Sequence, residues 1–301
     1  MIDTHCHLDM PAFAEDVDAV VGRATAAGVV GMLVPAIRPA TWAACAALVE
    51  RHAGAGLRLA IGVHPQIVPE LAPDEIGRVS RDPAGIESEL SRDGDIDAIA
   101  AWIAREAIAY HAVAIGECGL DGATADMPRQ EALFRAHIRA AWLTGLPLVI
   151  HVLRAHDRAP RILREELERA RIHEEMPVGG TQSMSVVGVL HSYSGGAELV
   201  DVYRELGMAF SFAGPVSYAN ARKPVEAARL IPEHLLLAET DAPDQAPEGH
   251  RGGRSEPAFV AAVIAGLAAA RGTTAEEIGA LTTANAQRIF GAWPSSTTTR
   301  E

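Results

Sequence analysis

Histidines lie close together near the start of this chain, in the tripeptide His5-Cys6-His7. If this segment is a strand, the alternation of side chains places His5 and His7 on one side and Cys6 on the other. Two imidazoles on the same side are suited to binding a metal ion. His-x-His also occurs by chance, so the motif needs support from the rest of the chain.

Five further residues whose side chains can bind a metal ion follow short apolar runs. They are His64, Glu117, His151, His191 and Asp241. Taken singly, each has an ordinary explanation, such as a hydrogen-bonded histidine or a helix cap. Together with the first two histidines they form a set of imidazoles and carboxylates that chance does not readily produce. Such a set predicts a metal site.

The elements that would position these residues are eight short apolar runs separated by helix-period patterns. The predicted strands are Ile2–Cys6, Val29–Ala36, Arg58–Val63, Val113–Cys118, Leu146–Val152, Gly188–Ser192, Ala209–Ala213 and Leu235–Thr240. Strands that alternate with helices indicate parallel βαβ units, and eight units predict an α/β fold closed as a (β/α)8 TIM barrel. An open doubly wound sheet is the structural alternative. In a barrel, the carboxyl ends of all strands open onto one face, which would hold the metal site.

The length and the absence of a visible repeat predict one barrel domain over residues 1–293. The remaining residues, 294–301, are rich in Ser and Thr and are predicted to be a disordered tail. Two polar segments, Arg78–Asp97 and Ile172–Val187, are predicted to be surface excursions of this domain.

The chain carries 26 Lys and Arg against 39 Asp and Glu, which gives a formal charge of −13. That acidity argues against a protein that binds long duplex DNA through a basic face, and against one that binds anionic membranes. Three cysteines without a CxxC spacing indicate a reducing compartment. Neither a secretory leader nor a membrane span is expected. A cytoplasmic protein is therefore predicted.

Read together, the motifs resemble the TatD family of metal-dependent hydrolases. They are Asp3-Thr4-His5-Cys6-His7-Leu8-Asp9, Gly62-Val63-His64-Pro65, Gly116-Glu117-Cys118-Gly119-Leu120-Asp121, Ile150-His151, His191-Ser192-Tyr193-Ser194-Gly195, Glu239-Thr240-Asp241-Ala242-Pro243 and a closing Asn285-Ala286-Gln287-Arg288-Ile289-Phe290. They follow one another over nearly the whole chain. The resemblance implies a TIM barrel of the amidohydrolase-like superfamily and a divalent-metal phosphodiesterase or deoxyribonuclease activity.

The resemblance also implies roles for individual residues. The implied metal ligands are His5, His7, Glu117, His151, His191 and Asp241. Glu117 would bridge two metal ions, and Asp241 would hold the first metal and the attacking water. The implied or expected substrate contacts are His64, Arg154, Arg251 and Arg254. The catalytic residues are expected to be Asp241, Glu117 and His64.

Ligand chemistry narrows the expected cofactors. Histidine-rich ligation with two carboxylates favours Zn²⁺ or Mn²⁺ as two bound divalent ions, while Mg²⁺, Fe and Ni²⁺ stay compatible. The single lysine, Lys223, lies in a predicted helical stretch, so it cannot serve as a carbamylated bridge at a strand end. Any bridge would then be Glu117, and Asp241 is the predicted general base.

The leading functional hypothesis is hydrolysis of phosphodiesters at DNA ends or in short oligonucleotides by a metal-activated water. Hydrolysis of a small ester, lactone or amide, including an aminoacyl ester, is the competing function for the same site. A non-catalytic binding role is a third hypothesis, which the full ligand set disfavours. The charge of −13 predicts a small substrate footprint, either a small phosphoester or a nucleic-acid end, without extended duplex binding. The oligomeric state stays open.

Overall fold

The computed structural model describes residues 1–76, 93–172 and 188–293. Eight parallel strands within these ranges pair in sequence order as one sheet. They are β1 Ile2–Asp3, β2 Gly31–Ala36, β3 Leu57–Ile61, β4 Ala114–Asp121, β5 Leu148–Leu153, β6 Gly188–Leu190, β7 Met208–Phe212 and β8 Leu236–Ala238. The described α-helices are α1 Val17–Ala26, α2 Trp42–Arg51, α3 Asp93–Ala109, α4 Met127–Thr144, α5 Ala159–Ile172, α6 Val200–Glu205, α7 Lys223–Leu230, α8 Val260–Arg271 and α9 Ala275–Phe290.

Backbone hydrogen bonds join the two ends of the sheet. The amide of Thr4 donates to the carbonyl of Ala238 at 3.2 Å, and the amide of His7 donates to Ala242 at 2.7 Å. Cys6 and Ala242 form a parallel bridge between these segments. The sheet is therefore a nearly closed (β/α)8 barrel, and the chain after β1 and the chain after β8 lie side by side at its mouth.

Apolar strand residues fill the barrel and face the surrounding helices. The side chains of Leu33, Ile61 and Phe210 are fully buried, as are Ile99 and Ile103 on the inner face of α3. Strands covered by helices must be apolar on both faces, and this accounts for the continuous apolar runs in the sequence. Many of the polar residues that remain buried gather at the carboxyl ends of the strands, which is where the candidate site lies, while others such as Arg139 and Glu166 lie between helices.

The predicted barrel is confirmed, and all eight strands occur where apolar runs predicted them. Their ends differ by a few residues. The first strand was expected to run to Cys6 but ends at Asp3, and β4 continues to Asp121 instead of ending at Cys118. Strand ends shift because pairing with a neighbour, which the local sequence does not encode, decides where a ladder stops.

Several predicted features fall wholly or partly outside the described residues. The segment Arg78–Asp97 is described only from Asp93, where its last five residues form the first turn of α3 instead of a surface loop. The segment Ile172–Val187 and the tail 294–301 lie outside, apart from Ile172 at the end of α5. Among the described helices, none by itself is long and apolar enough to cross a membrane, and Pro257–Arg271 with Ala275–Phe290 reach that length only as a pair bent by 110°.

Candidate metal centre

Glu117 lies at the centre of the polar mouth of the barrel. It belongs to β4, where the register against β5 shifts between Gly116 and Cys118. A side chain at Gly116 would place its Cβ 2.3 Å from the carbonyl oxygen of Val149, so glycine lets the two strands approach closely here. The Glu117 side chain is 1% exposed. Its two carboxylate oxygens face two different groups of side chains.

The first group contains the two histidines of the amino-terminal motif. The Nε2 atoms of His5 and His7 lie 3.1 Å apart, and they lie 3.1 Å and 3.4 Å from Glu117 Oε2. Asp241 Oδ1 lies 3.7 Å from His5 Nε2 and 3.6 Å from His7 Nε2. Cys6 turns the other way and points its Sγ at the carbonyl of Leu33. The alternation inferred from the sequence therefore brings both imidazoles to one point.

The second group faces the other oxygen of the same carboxylate. Glu117 Oε1 lies 3.2 Å from His151 Nδ1 and 2.6 Å from His191 Nε2. These two ring nitrogens lie 3.2 Å from each other. The two groups are not isolated, because the rings of His5 and His191 stack with their centroids 4.0 Å apart.

Supporting carboxylates indicate which nitrogens are free to bind. Asp121 Oδ2 lies 3.5 Å from His151 Nε2, and Glu239 Oε1 lies 3.4 Å from His191 Nδ1. These contacts favour a hydrogen on the nitrogen that faces away from Glu117, which leaves the nitrogen that faces Glu117 with a lone pair. Neither Asp121 nor Glu239 was assigned a role from the sequence, although both lie in the motifs at strand ends.

The donor set fits divalent metal ions. Imidazole nitrogens and carboxylate oxygens converge within about 3 to 4 Å, and several imidazole nitrogens face one another. The outer nitrogens of His5 and His7 are buried and have no hydrogen-bond partner within the described residues. Buried imidazoles and carboxylates that are not fully hydrogen-bonded are costly, and a cation bound at their inner nitrogens and oxygens would offset that cost. Three triads of such atoms, each within 4.8 Å, contain every sequence-predicted ligand: His5–His7–Glu117, His5–His191–Asp241 and His64–Glu117–His151.

His64 belongs to one triad by distance, but its hydrogen bonds argue against ligation. Its Nδ1 accepts from the amide of Gln66 at 3.1 Å. A neutral imidazole with an accepting Nδ1 carries its hydrogen on Nε2, and this atom lies 2.8 Å from Glu117 Oε1. Since a protonated nitrogen has no lone pair to give, His64 donates to Glu117. The expectation that His64 contacts substrate is compatible with this arrangement.

Burial shapes the charges of the site. Burial raises the pKa of Asp241 to about 6 against the opposing effect of nearby histidines. It lowers the pKa of His64 to about 4, although Glu117 opposes that shift. Burial also acts to raise the pKa of Glu117, but the histidines around it outweigh burial and hold that pKa well below its usual range. At neutral pH, Glu117 is thus an anion and His64 is neutral, whereas Glu117 and Glu239 outweigh burial and raise the pKa of His191 well above its usual value.

A cavity of about 450 Å³ opens above these side chains. Its lining contains four of the five histidines of the site together with Glu117 and Asp241, and it includes the apolar side chains of Met10, Ile37 and Ile67. Gln245 lies at its edge, where its side-chain nitrogen donates to Asp241 Oδ2 and to the Ser192 hydroxyl. Nothing in the sequence pattern marked Gln245, because its role depends on the path of the loop after β8.

The three arginines expected to contact substrate do not line this cavity. The guanidinium of Arg254 donates to both oxygens of Asp16 at 2.8 Å and to Glu256 at 2.8 Å, so its charge is already used. Arg251 lies over the ring of Tyr218 at 4.2 Å, and the side chain of Arg154 is exposed just after β5. Substrate contact by Arg154 or Arg251 stays a prediction, whereas the position of Arg254 points to a structural role.

Comparison with known proteins identifies the family of this chain. The sequence model of the TatD related DNase family matches residues 2–291. The chain is 30% identical over 292 residues to the uncharacterised metal-dependent hydrolase YabD of Bacillus subtilis, which covers 96% of this chain and 98% of that protein. It is 30% identical over 299 residues to the 3'-5' ssDNA/RNA exonuclease TatD of Erwinia amylovora, with 97% and 100% covered.

A solved structure gives the same result. The crystal structure of the TatD homologue YjjV from Escherichia coli K12 matches with a TM-score of 0.77 at 28% identity, covering 97% of this chain and 98% of that chain. The match extends over nearly the whole of both chains. The chain therefore belongs to the TatD family of metal-dependent hydrolases.

Proposed function

We propose that this protein is a phosphodiesterase that removes nucleotides from the ends of single-stranded DNA or short oligonucleotides, using two divalent metal ions. The observation that supports this most directly is the bridge-like position of Glu117, whose two oxygens face two separate groups of imidazoles. In this proposal His5, His7 and Asp241 hold one ion, and His151 and His191 hold the other. Zn²⁺ and Mn²⁺ suit this donor set best.

Bound divalent ions would lower the pKa of a water molecule and stabilise the charge that develops on the phosphoryl oxygens. The residues of the chain complete the reaction. Asp241 Oδ1 points into the cavity between the two amino-terminal histidines and accepts the proton of the attacking water. Gln245 donates to the other oxygen of Asp241 and holds that carboxylate in place. His64 offers its Nε2 hydrogen to Glu117 and borders the space where the phosphate would lie.

A nucleic-acid substrate is supported by the relatives and by the charge. The family is described as TatD related DNase, and one relative is named a 3'-5' ssDNA/RNA exonuclease. A formal charge of −13 opposes contact with a long phosphate backbone, and the cavity of about 450 Å³ has room for only a short part of a strand. A strand end fits both constraints better than a duplex does.

Hydrolysis of a small ester, lactone or amide uses the same site and is the competing substrate class. Purified protein should be stripped with a chelator and reloaded separately with Mn²⁺, Zn²⁺ or Mg²⁺. Each form should then be offered a single-stranded oligonucleotide, bis-p-nitrophenyl phosphate and small carboxyl esters. We expect metal-dependent cleavage of the two phosphodiesters. Cleavage of carboxyl esters alone would contradict the proposal.

Two neighbouring carboxylates provide a matched test of the ligand assignment. Asp241 faces His5 and His7, whereas Asp244 lines the same cavity outside all three donor triads. We expect Asp241→Asn to lose bound metal and turnover, and Asp244→Asn to keep the metal content of the unmodified protein. Equal metal content in both variants, measured by elemental analysis, would refute the role of Asp241.

A further inference from the structure

A second, smaller cavity lies beside the metal centre. It has a volume of about 160 Å³ and shares Ser192, Ser194 and Gln245 with the larger cavity. These three residues line both spaces, so the two cavities adjoin one another. We refer to this space as the side cavity.

The walls of the side cavity are mainly apolar and partly aromatic. Tyr193, Phe212 and Val216 are buried core residues, and Pro215 and Pro224 complete the lining. The Tyr193 ring lies edge-on to the Phe212 ring, and the Tyr193 hydroxyl donates to the carbonyl of Gly196. The polar end of the tyrosine is therefore satisfied elsewhere, and the space itself suits a flat, weakly polar group such as a nucleobase.

Hydrogen bonds hold the partition between the two cavities in place. The Ser194 hydroxyl donates to the carbonyl of Val152 at 2.8 Å and lies 3.1 Å from His156 Nε2. The other ring nitrogen of His156 lies 2.9 Å from the Tyr203 hydroxyl. Ser194 is therefore held by Val152 and by His156, which is itself held by Tyr203. Because these side chains are ordered before a ligand binds, the entropic cost of binding is smaller.

Lys223, the only lysine of the chain, lies at the rim of the side cavity. Its side chain is exposed, and among the described residues no carboxylate lies within ion-pair distance of its ammonium group. Arg254, in contrast, is committed to Asp16 and Glu256. An unpaired ammonium group beside an apolar cavity is suited to bind a ligand in which a phosphate lies close to a flat ring, as in a nucleotide.

We propose that the side cavity binds the nucleobase of the nucleotide adjoining the scissile phosphate, and that Lys223 contacts the next phosphate along the strand. This inference rests on the proposed function and deepens it. It identifies the substrate as an oligonucleotide with at least two phosphates, in preference to a lone phosphodiester or a small ester. The acidic chain then uses one local cation where other nucleic-acid enzymes use a basic surface.

Kinetics on substrates of increasing length test the phosphate contact. The dinucleotide d(TpT) contains only the scissile phosphate, whereas the trinucleotide d(TpTpT) adds a flanking one. We expect Lys223→Met to raise the KM for the trinucleotide about five- to tenfold with an unchanged kcat, and to change the KM for the dinucleotide less than twofold. The control is Arg222→Met, which removes an exposed cation that does not line the cavity.

Equal effects of Lys223→Met on both substrates, or no effect on either, would overturn the phosphate contact. The nucleobase contact is tested on the substrate side, without altering the core. We expect replacement of one thymine of d(TpTpT) by an abasic sugar to raise KM about tenfold at the position that occupies the side cavity. If removal of each base in turn leaves KM unchanged, the nucleobase assignment is wrong.

A binding measurement separates this inference from the proposed function. Because Lys223 is the only lysine of this sequence, an amine-reactive ester reports on its side chain, and the reaction of the terminal amine of the purified protein serves as an internal control. We expect a phosphorothioate d(TpTpT) to protect Lys223 in the Mg²⁺-loaded protein, and d(TpT) to protect it less. Protection without turnover of any phosphodiester would refute the proposed function and keep the subsite. Turnover without protection would refute the subsite alone.

Discussion

Two buried polar clusters of this protein are built in opposite ways. On the outside of the barrel, Arg139 of α4 donates to Glu166 of α5 and to Asp93 and Asp97 of α3, with four contacts of 2.8 to 3.1 Å. Each donor there meets an acceptor of opposite charge. At the mouth, in contrast, imidazole nitrogens face one another and share the oxygens of Glu117.

The difference distinguishes a structural cluster from a functional one. Complementary charges satisfy themselves, so the cluster around Arg139 joins three helices and needs no ligand. Imidazole nitrogens that face one another and share one carboxylate cannot all be paired at once, and the strands of the barrel hold them in these positions. Buried polarity without internal partners therefore indicates where a ligand belongs, more directly than burial or charge alone does.

The largest effect is expected from a substitution of Glu117, the carboxylate that lies between the two groups of histidines. We expect Glu117→Gln to lower kcat/KM at least a thousandfold, which corresponds to roughly 4 kcal/mol of activation free energy. The amide keeps the shape of the side chain but loses the anion that both histidine groups face. Steady-state kinetics and metal analysis measure the change, and circular dichroism verifies the fold. If Glu117→Gln kept both its metal and its activity, the cluster at the mouth would not differ from the Arg139 cluster in needing a ligand.

The next largest effect is expected at the cluster around Arg139, where a substitution should lower stability and leave metal binding unchanged. We expect Glu166→Ala to lower the free energy of unfolding by about 3 kcal/mol, because it leaves buried Arg139 without its main partner. The metal affinity of the folded protein should not change. Glu165→Ala is the control, since Glu165 is 43% exposed and its ion pairs should contribute under about 1 kcal/mol. Denaturant titration measures both variants, and an equal loss in each would contradict the expectation.

Metal removal tests whether the buried histidines and carboxylates at the mouth of the barrel need a metal ion for stability. Metal at a hundred times its dissociation constant should stabilise the fold by about 2.7 kcal/mol. We expect a chelator to lower the Tm by about 5 °C in the unmodified protein. The same treatment should not change the Tm of Glu117→Gln, which would already have lost its metal. The Tm is measured by calorimetry after metal loss has been verified. An unchanged Tm in the unmodified protein would show that the polar groups at the mouth of the barrel satisfy one another without a metal ion.

The smallest effect concerns the carboxylate behind His151. Asp121 lies 3.5 Å from His151 Nε2 and also accepts from Gln66 at 2.8 Å. We expect Asp121→Asn to weaken metal binding about 10- to 100-fold by loosening the ring orientation. Competition with a metal-sensitive dye measures the affinity. Asp157→Asn, an exposed position outside the donor triads, should leave it unchanged, and a similar loss in both variants would contradict a positioning role.

Much of the candidate site could be predicted because its proposed metal ligands follow strands. Side-chain alternation placed His5 and His7 together, and the rule that parallel strands end on one face placed Glu117 and Asp241 near them. The substrate arginines were harder to predict. Arg254 follows β8 by many residues, and its guanidinium has complementary carboxylates within reach, so it binds Asp16 and Glu256 instead of facing the cavity.

The sequence by itself determined the order of the strands, the chemical types gathered at their ends and the acidic charge that disfavours extended DNA. Tertiary structure alone decided which oxygen of Glu117 meets which histidines, and which nitrogen of His64 carries its hydrogen. It also decided that Lys223 borders a cavity beside the metal centre. The physical reason is that lone pairs, tautomers and cavities are set by partners from other strands and loops, which lie close in space and far apart along the chain.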